Sequence, residues 1–120
     1  MPSQFSKDDT IANAGGIVHV WAVSIAADEC EAAAKHLSDL IQGAVADLPG
    51  FLKGEVLEAD DQRSILALTH WTSRQLWAQA QWNREVGRTL GEVSKSATQM
   101  VDTMYYVRSV AQSAADTGSR

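Results

Sequence analysis

The stretch Gly15-Gly16-Ile17-Val18-His19-Val20-Trp21-Ala22-Val23-Ser24-Ile25 constrains this chain more than any other. β-Branched and aromatic residues dominate it, which favours a strand. Successive side chains of a strand point to opposite faces. One face then carries Ile17, His19, Trp21, Val23 and Ile25, and the other carries Val18, Val20, Ala22 and Ser24. Both faces are largely apolar, so both need cover. A chain of 120 residues holds about one domain, and one sheet of this kind is its natural centre.

The remaining elements follow from spacing. Asp28 stands three residues before Glu31, as in a capping box. Leu37, Leu40, Ile41, Ala44, Val45 and Leu48 follow at helical intervals. Leu48-Pro49-Gly50 ends this helix, because proline cannot continue it and restricts its predecessor. Residues 51–59 and 63–71 read as two strands around the polar turn Asp60-Asp61-Gln62. Thr72 and Gln75 repeat the capping spacing. Leu76, Ala80, Val86, Leu90 and Val93 form the stripe of a second helix, in which Gly87 and Gly91 predict a kink. Residues 100–110 read as a fourth strand.

The order β-α-β-β-α-β, with right-handed crossovers, predicts a ferredoxin-like α+β fold. Its four-stranded antiparallel sheet carries both helices on one face. The second apolar face predicts a homodimer in which two sheets face each other. Residues 1–14 lack periodicity and contain Pro2 and Lys7-Asp8-Asp9, so they read as a flexible arm. Residues 15–112 are the expected domain. Residues 113–120, small and polar, read as a flexible tail.

Composition excludes several functions. Ten basic against fifteen acidic residues give a net charge of −5, with no basic block. Such a chain lacks the electrostatic footprint for nucleic acid or an anionic membrane. No apolar run approaches the ~20 residues that span a bilayer. The first fourteen residues show no signal-peptide core. The single cysteine, Cys30, forbids an intrachain disulfide and fits a reducing, cytoplasmic setting. At the first turn of helix one, the dipole can lower its pKa, but no histidine stands near it in sequence, so it reads as inert.

Three pieces together carry a resemblance. Leu48-Pro49-Gly50-Phe51 joins helix one to strand two, Gly54-Glu55-Val56-Leu57-Glu58 follows, and the hairpin leads to His70-Trp71-Thr72-Ser73. In this order and spacing, residues 15–112 resemble the antibiotic biosynthesis monooxygenase family of dimeric α+β barrels. That family includes cofactor-free oxygenases of anthrone-type polyketides, quinol oxygenases and haem-degrading enzymes, so the resemblance implies a fold more narrowly than a reaction. It implies that Trp71 lines a pocket. The anthrone oxygenases carry an asparagine four residues before that tryptophan, where this chain has Ala67. They carry a second in strand one, where the alignment places Trp21, and an arginine late in helix two, a region that here offers Arg88 and Lys95. The haem-degrading branch has a histidine about ten residues after the tryptophan. Here that stretch reads Ala80-Gln81-Trp82.

No G-x-S-x-G, H-E-x-x-H, C-x-x-C, G-x-G-x-x-G or Walker-type motif is present. A cofactor-free oxygenase needs none of them. It needs a dry cavity, a base or hydrogen-bond donor, and stabilisation of an enolate-like oxygen. His19 is the candidate base. If Trp21 and Trp71 face one pocket, alternation brings His19, Ala67 and Thr69 to it and turns His70 away. A histidine titrates near neutrality and suits proton abstraction, though a hydrogen-bonded structural histidine near a strand end reads the same way. A register shifted by one would instead pair His19 with His70, but no carboxylate or cysteine is placed to complete a metal site. Trp21 and Trp71 suit a flat aromatic substrate, whereas Trp77 and Trp82 read as core, kink or dimer contacts. Tyr105 and Tyr106 point to opposite faces, and Tyr105 is taken as the substrate contact. Arg108 reads as a surface or interface residue, and Asn83 as a surface or kink residue.

The expected function is a cofactor-independent monooxygenase using O₂ on an aromatic polyketide-like substrate of anthrone or quinol type. The expected catalytic residue is His19. The expected substrate contacts are Trp21, Ala67, Thr69, Trp71 and Tyr105, without metal or cofactor. The missing asparagines keep open an oxygen-independent isomerase or cyclase. The thin polar inventory keeps open a non-catalytic binding or assembly module.

Overall fold

The structure, a computed structural model, describes residues 16–113. The expected arm, 1–14, and residues 114–120 of the expected tail lie outside the described residues. The elements run β1 (Ile17–Ile25), α1 (Ala27–Gln42), a 3₁₀ turn (Val45–Asp47), β2 (Phe51–Glu58), β3 (Ser64–Trp71), α2 (Arg74–Ala80), α3 (Arg84–Ser96) and β4 (Ala97–Tyr106). The four strands form one antiparallel sheet in the order β2-β3-β1-β4. This is the ferredoxin-like α+β arrangement that the element order predicts.

β1 is central because it can be buried on both sides, and it pairs with β3 along one edge and β4 along the other. Reading from β3 through β1 to β4, the helix-side rows are Trp71–Ile17–Tyr106, Thr69–His19–Met104, Ala67–Trp21–Asp102 and Ile65–Val23–Met100. α1 lays Cys30, Ala33, Ala34, Leu37, Leu40 and Ile41 onto this side, and α3 adds Val86 and Val93. Leu37 is fully enclosed. Burial of a side chain of its size contributes about 1.5–3 kcal/mol. Gly54 of β2 lets α1 approach: a Cβ there would stand 2.5 Å from Ile41 Cγ2. Gly50 has a φ of +87°, and a Cβ there would meet Leu76 at 2.6 Å, so the entry to β2 requires glycine on both counts.

Five local expectations are corrected. α1 starts at Ala27 with Ala26 as its cap residue and no side-chain cap, so Asp28 lies inside the first turn and forms no capping box. It also stops at Gln42, where the Gly43 amide donates to Asp39 O at 2.9 Å, and the chain continues as a 3₁₀ turn. The second helix is two helices. The break falls at residues 81–83, because the Asn83 side chain accepts hydrogen bonds from the amides of Glu85 and Val86 and starts α3. Gly87 and Gly91 lie within α3 without interrupting it. Ser73, one residue later than expected, caps α2 by accepting from Leu76 N at 3.1 Å. β4 starts earlier than expected, at Ala97, because its ladder with β1 begins opposite Ile25.

Among the described residues, no helix packs on the sheet's second face. Leu57, Leu66, Val101 and Tyr105 stand on it, each 41–53% exposed.

Candidate functional site

The site grows from the second and third helix-side rows. His19 is 1% exposed, and its imidazole meets two indoles. Trp21 stands edge-on at 5.3 Å between centroids, and Trp77 of α2 lies over it at 4.8 Å with 36° between planes. Trp71 is 2% exposed and takes Phe51 edge-on at 5.5 Å. The Trp71 Nε1–H donates to Thr69 Oγ1 at 2.8 Å, and the Thr69 hydroxyl donates to the His19 carbonyl at 3.5 Å. These bonds hold the Trp71 indole and occupy the Thr69 oxygen.

The His19 ring differs. Both Nδ1 and Nε2 are buried without a hydrogen-bond partner. Leaving a buried polar atom unpaired costs about 1–3 kcal/mol. Burial pushes the imidazole below its ordinary value by penalising the charged form, while the Asp102 carboxylate pulls the other way. The result is a neutral base inside an aromatic box, with one donor and one acceptor unused.

The structure brings His19, Trp21, Ala67, Thr69 and Trp71 together, because they share the odd-numbered face of β1 and β3. Trp21 and Ala67 are direct cross-strand partners, so the indole occupies space beside the small methyl group. Tyr105 does not join them. It pairs with Val18 on the opposite face, and Tyr106 takes the helix side. There the Arg74 guanidinium lies 5.4 Å from the Tyr106 ring centroid. His70 faces away from His19, with Nε2 3.8 Å from Glu55 Oε1. Among the described residues, no group of three His, Cys, Asp or Glu side chains is arranged to hold a metal ion.

Residues outside this cluster have other surroundings. Arg88 and Lys95 are exposed and pair with Glu85 and Glu92. His36 is exposed beside a groove of about 490 Å³ between α1 and α3. Trp82 is 88% exposed. Cys30 is buried. Its Sγ–H donates to Glu58 Oε1 at 3.9 Å, and burial with that carboxylate raises its pKa, against the lowering that a helix terminus alone would give.

Sequence reasoning missed three neighbours. Trp77 was assigned to core, kink or dimer contacts, yet it packs on the catalytic candidate. Its signal was its separation of six residues from Trp71, which carries the chain from the end of β3 over the sheet. Met104 and Asp102 were invisible because the parity of β4 depends on its register with β1.

No family model matches this chain, and no curated protein matches it. Its likeness is to solved structures. A protein from Deinococcus radiodurans assigned to the antibiotic biosynthesis monooxygenases superposes with a TM-score of 0.69 at 17% identity, over 80% of this chain and 96% of that one. Rv0793 from Mycobacterium tuberculosis gives 0.66 at 13% identity, covering 82% and 97%. SnoaB from Streptomyces nogalater, a cofactor-independent oxygenase, gives 0.64 at 17%, covering 81% and 97%. At these identities the likeness shows a common fold.

Proposed function

We propose that this chain is a cofactor-independent monooxygenase acting on a flat aromatic substrate of anthrone or quinol type, with His19 as the base. The observation that carries this reading is the pair of unpartnered His19 nitrogens on a ring packed between Trp21 and Trp77. A substrate bearing an acidic C–H or O–H next to a carbonyl meets that deficit. It gives its proton to the imidazole and stacks on indole faces. The resulting enolate is electron-rich and reduces O₂ itself. For an anthrone, CH₂ plus O₂ becomes C=O plus water, so no further reductant is needed. The solved oxygenase SnoaB supports this reading through its fold.

We extend the proposal to a homodimer. Leu57, Leu66, Val101 and Tyr105 make an apolar surface on the uncovered sheet face, and a second copy of the same sheet covers it.

A second reading has its own observation. Trp21 and Ala67 are cross-strand partners, at the two positions where the family resemblance implies asparagines in the anthrone oxygenases. Without those amides, His19 still moves a proton, and the reaction is an oxygen-independent isomerisation or cyclisation. Oxygen uptake with a simple anthrone, by protein stripped of metal, flavin and haem, tests the choice. Uptake above the protein-free rate with quinone formed supports oxygenation. Turnover that persists under nitrogen supports the second reading. Unchanged turnover in His19→Ala removes His19 from either mechanism.

A further inference from the structure

We propose that Asp102 is the positioning carboxylate for His19, steadying the imidazolium that forms when the ring takes a proton from substrate. The inference rests on His19 acting as the base.

Its ground is the register of β4 against β1. Asp102 pairs with Trp21, and Met104 pairs with His19, all on the helix side of the sheet. Asp102 is therefore one step diagonal from His19 on the same face, a separation of roughly 7–8 Å between Cα atoms, across which a charge acts through its field. The chain places a carboxylate on this face although both neighbours along β4, Met100 and Met104, are apolar. β4 is an edge strand, and Asp102 is exposed where His19 is buried. The carboxylate thus stands at the solvent edge of the face on which the ring is enclosed.

The chemistry needs such a group. A base buried in an indole box becomes a buried cation on protonation, and an unpaired buried charge is strongly unfavourable. One charged group bears on the ring. From β4, Asp102 raises the affinity of the imidazole for a proton. Thr69 and Trp71 of β3 and Trp21 of β1 carry no charge. From α2, Trp77 is neutral, and Arg74 lies over Tyr106, two rows from Asp102. When the proton moves from substrate to His19, the field of Asp102 stabilises the imidazolium that forms.

The test is an NMR titration of the His19 ring in the full chain, without substrate, for wild type, Asp102→Asn and Asp102→Glu. The Asn variant keeps the size of an exposed side chain and removes its charge. His19 is expected to titrate at lower pH in Asp102→Asn and to return toward wild type in Asp102→Glu. Identical titrations in wild type and Asp102→Asn overturn the proposal. With substrate, the acid limb of kcat/KM moves to lower pH in Asp102→Asn, and the plateau falls by roughly three- to tenfold as the base weakens. If the ring titration moves and the rate shows no matching limb in any of the proteins, the coupling stands and the assignment of His19 as base fails.

Discussion

The His19 imidazole and the Trp77 indole lie 4.8 Å apart, centroid to centroid, so a side chain from α2 packs on the buried histidine of β1. α2 is only seven residues long, and the chain breaks again at residues 81–83. A short element with little buried surface opens at low free energy. Trp77 lies between the His19 ring and the α2 side of the molecule. Trp77→Ala is expected to expose His19, raising its rate of modification by diethyl pyrocarbonate severalfold. An unchanged rate shows that the ring is reached from another side.

The neutral state of His19 has a consequence for stability. Its folded pKa lies below its ordinary value of 6.5, so the unfolded chain binds more protons in the window between the two. This contribution to stability is complete above the unfolded value. It is lost as pH falls through the window toward the folded value. Urea midpoints measured from pH 7 downward should fall more steeply for wild type than for His19→Phe. Parallel curves would mean that the ring titrates alike in both states.

Thr69 holds the indole of Trp71. Thr69→Val keeps the volume but leaves the buried Trp71 Nε1–H without its acceptor. The expected loss is about 1–3 kcal/mol in chemical unfolding. The near-ultraviolet circular dichroism of the tryptophans should change with it.

The uncovered sheet face predicts an assembly. Leu66→Lys puts a charge at the middle of the surface formed by Leu57, Leu66, Val101 and Tyr105. Sedimentation should find a dimer for wild type and a shift toward monomer for the variant. A wild-type monomer at micromolar concentration would remove the second copy from the proposal.

Asn83 separates α2 from α3 by capping the latter through two amides. Asn83→Ala is expected to lower stability by about 1 kcal/mol in thermal or chemical unfolding. Asn83→Asp, which keeps the acceptor, should lose far less.

The alternation of β1 was legible from its residues alone. So was the company of His19, Trp21, Ala67, Thr69 and Trp71, because two neighbouring strands of known pairing share one parity. The boundary errors have local causes. Ser73 and Asn83 are both good caps, but candidate caps also stood at Asp28 and Thr72, and spacing does not rank them. Gly87 and Gly91 looked like breakers, yet a glycine weakens a helix without ending it when the flanking turns are packed by Val86 and Val93.

Sequence by itself determined the order of strands and helical segments, the ferredoxin-like sheet and the face on which His19 stands. Those depend on period and chain order, which are local. Tertiary structure decided that Tyr106 rather than Tyr105 shares that face, that Asp102 stands diagonal to His19, and that Trp77 closes over it. Each of these depends on the register between β1 and β4 or on where α2 lands. Both are set by packing between residues far apart in the chain, where a slip of one position turns every side chain of a strand to the other side.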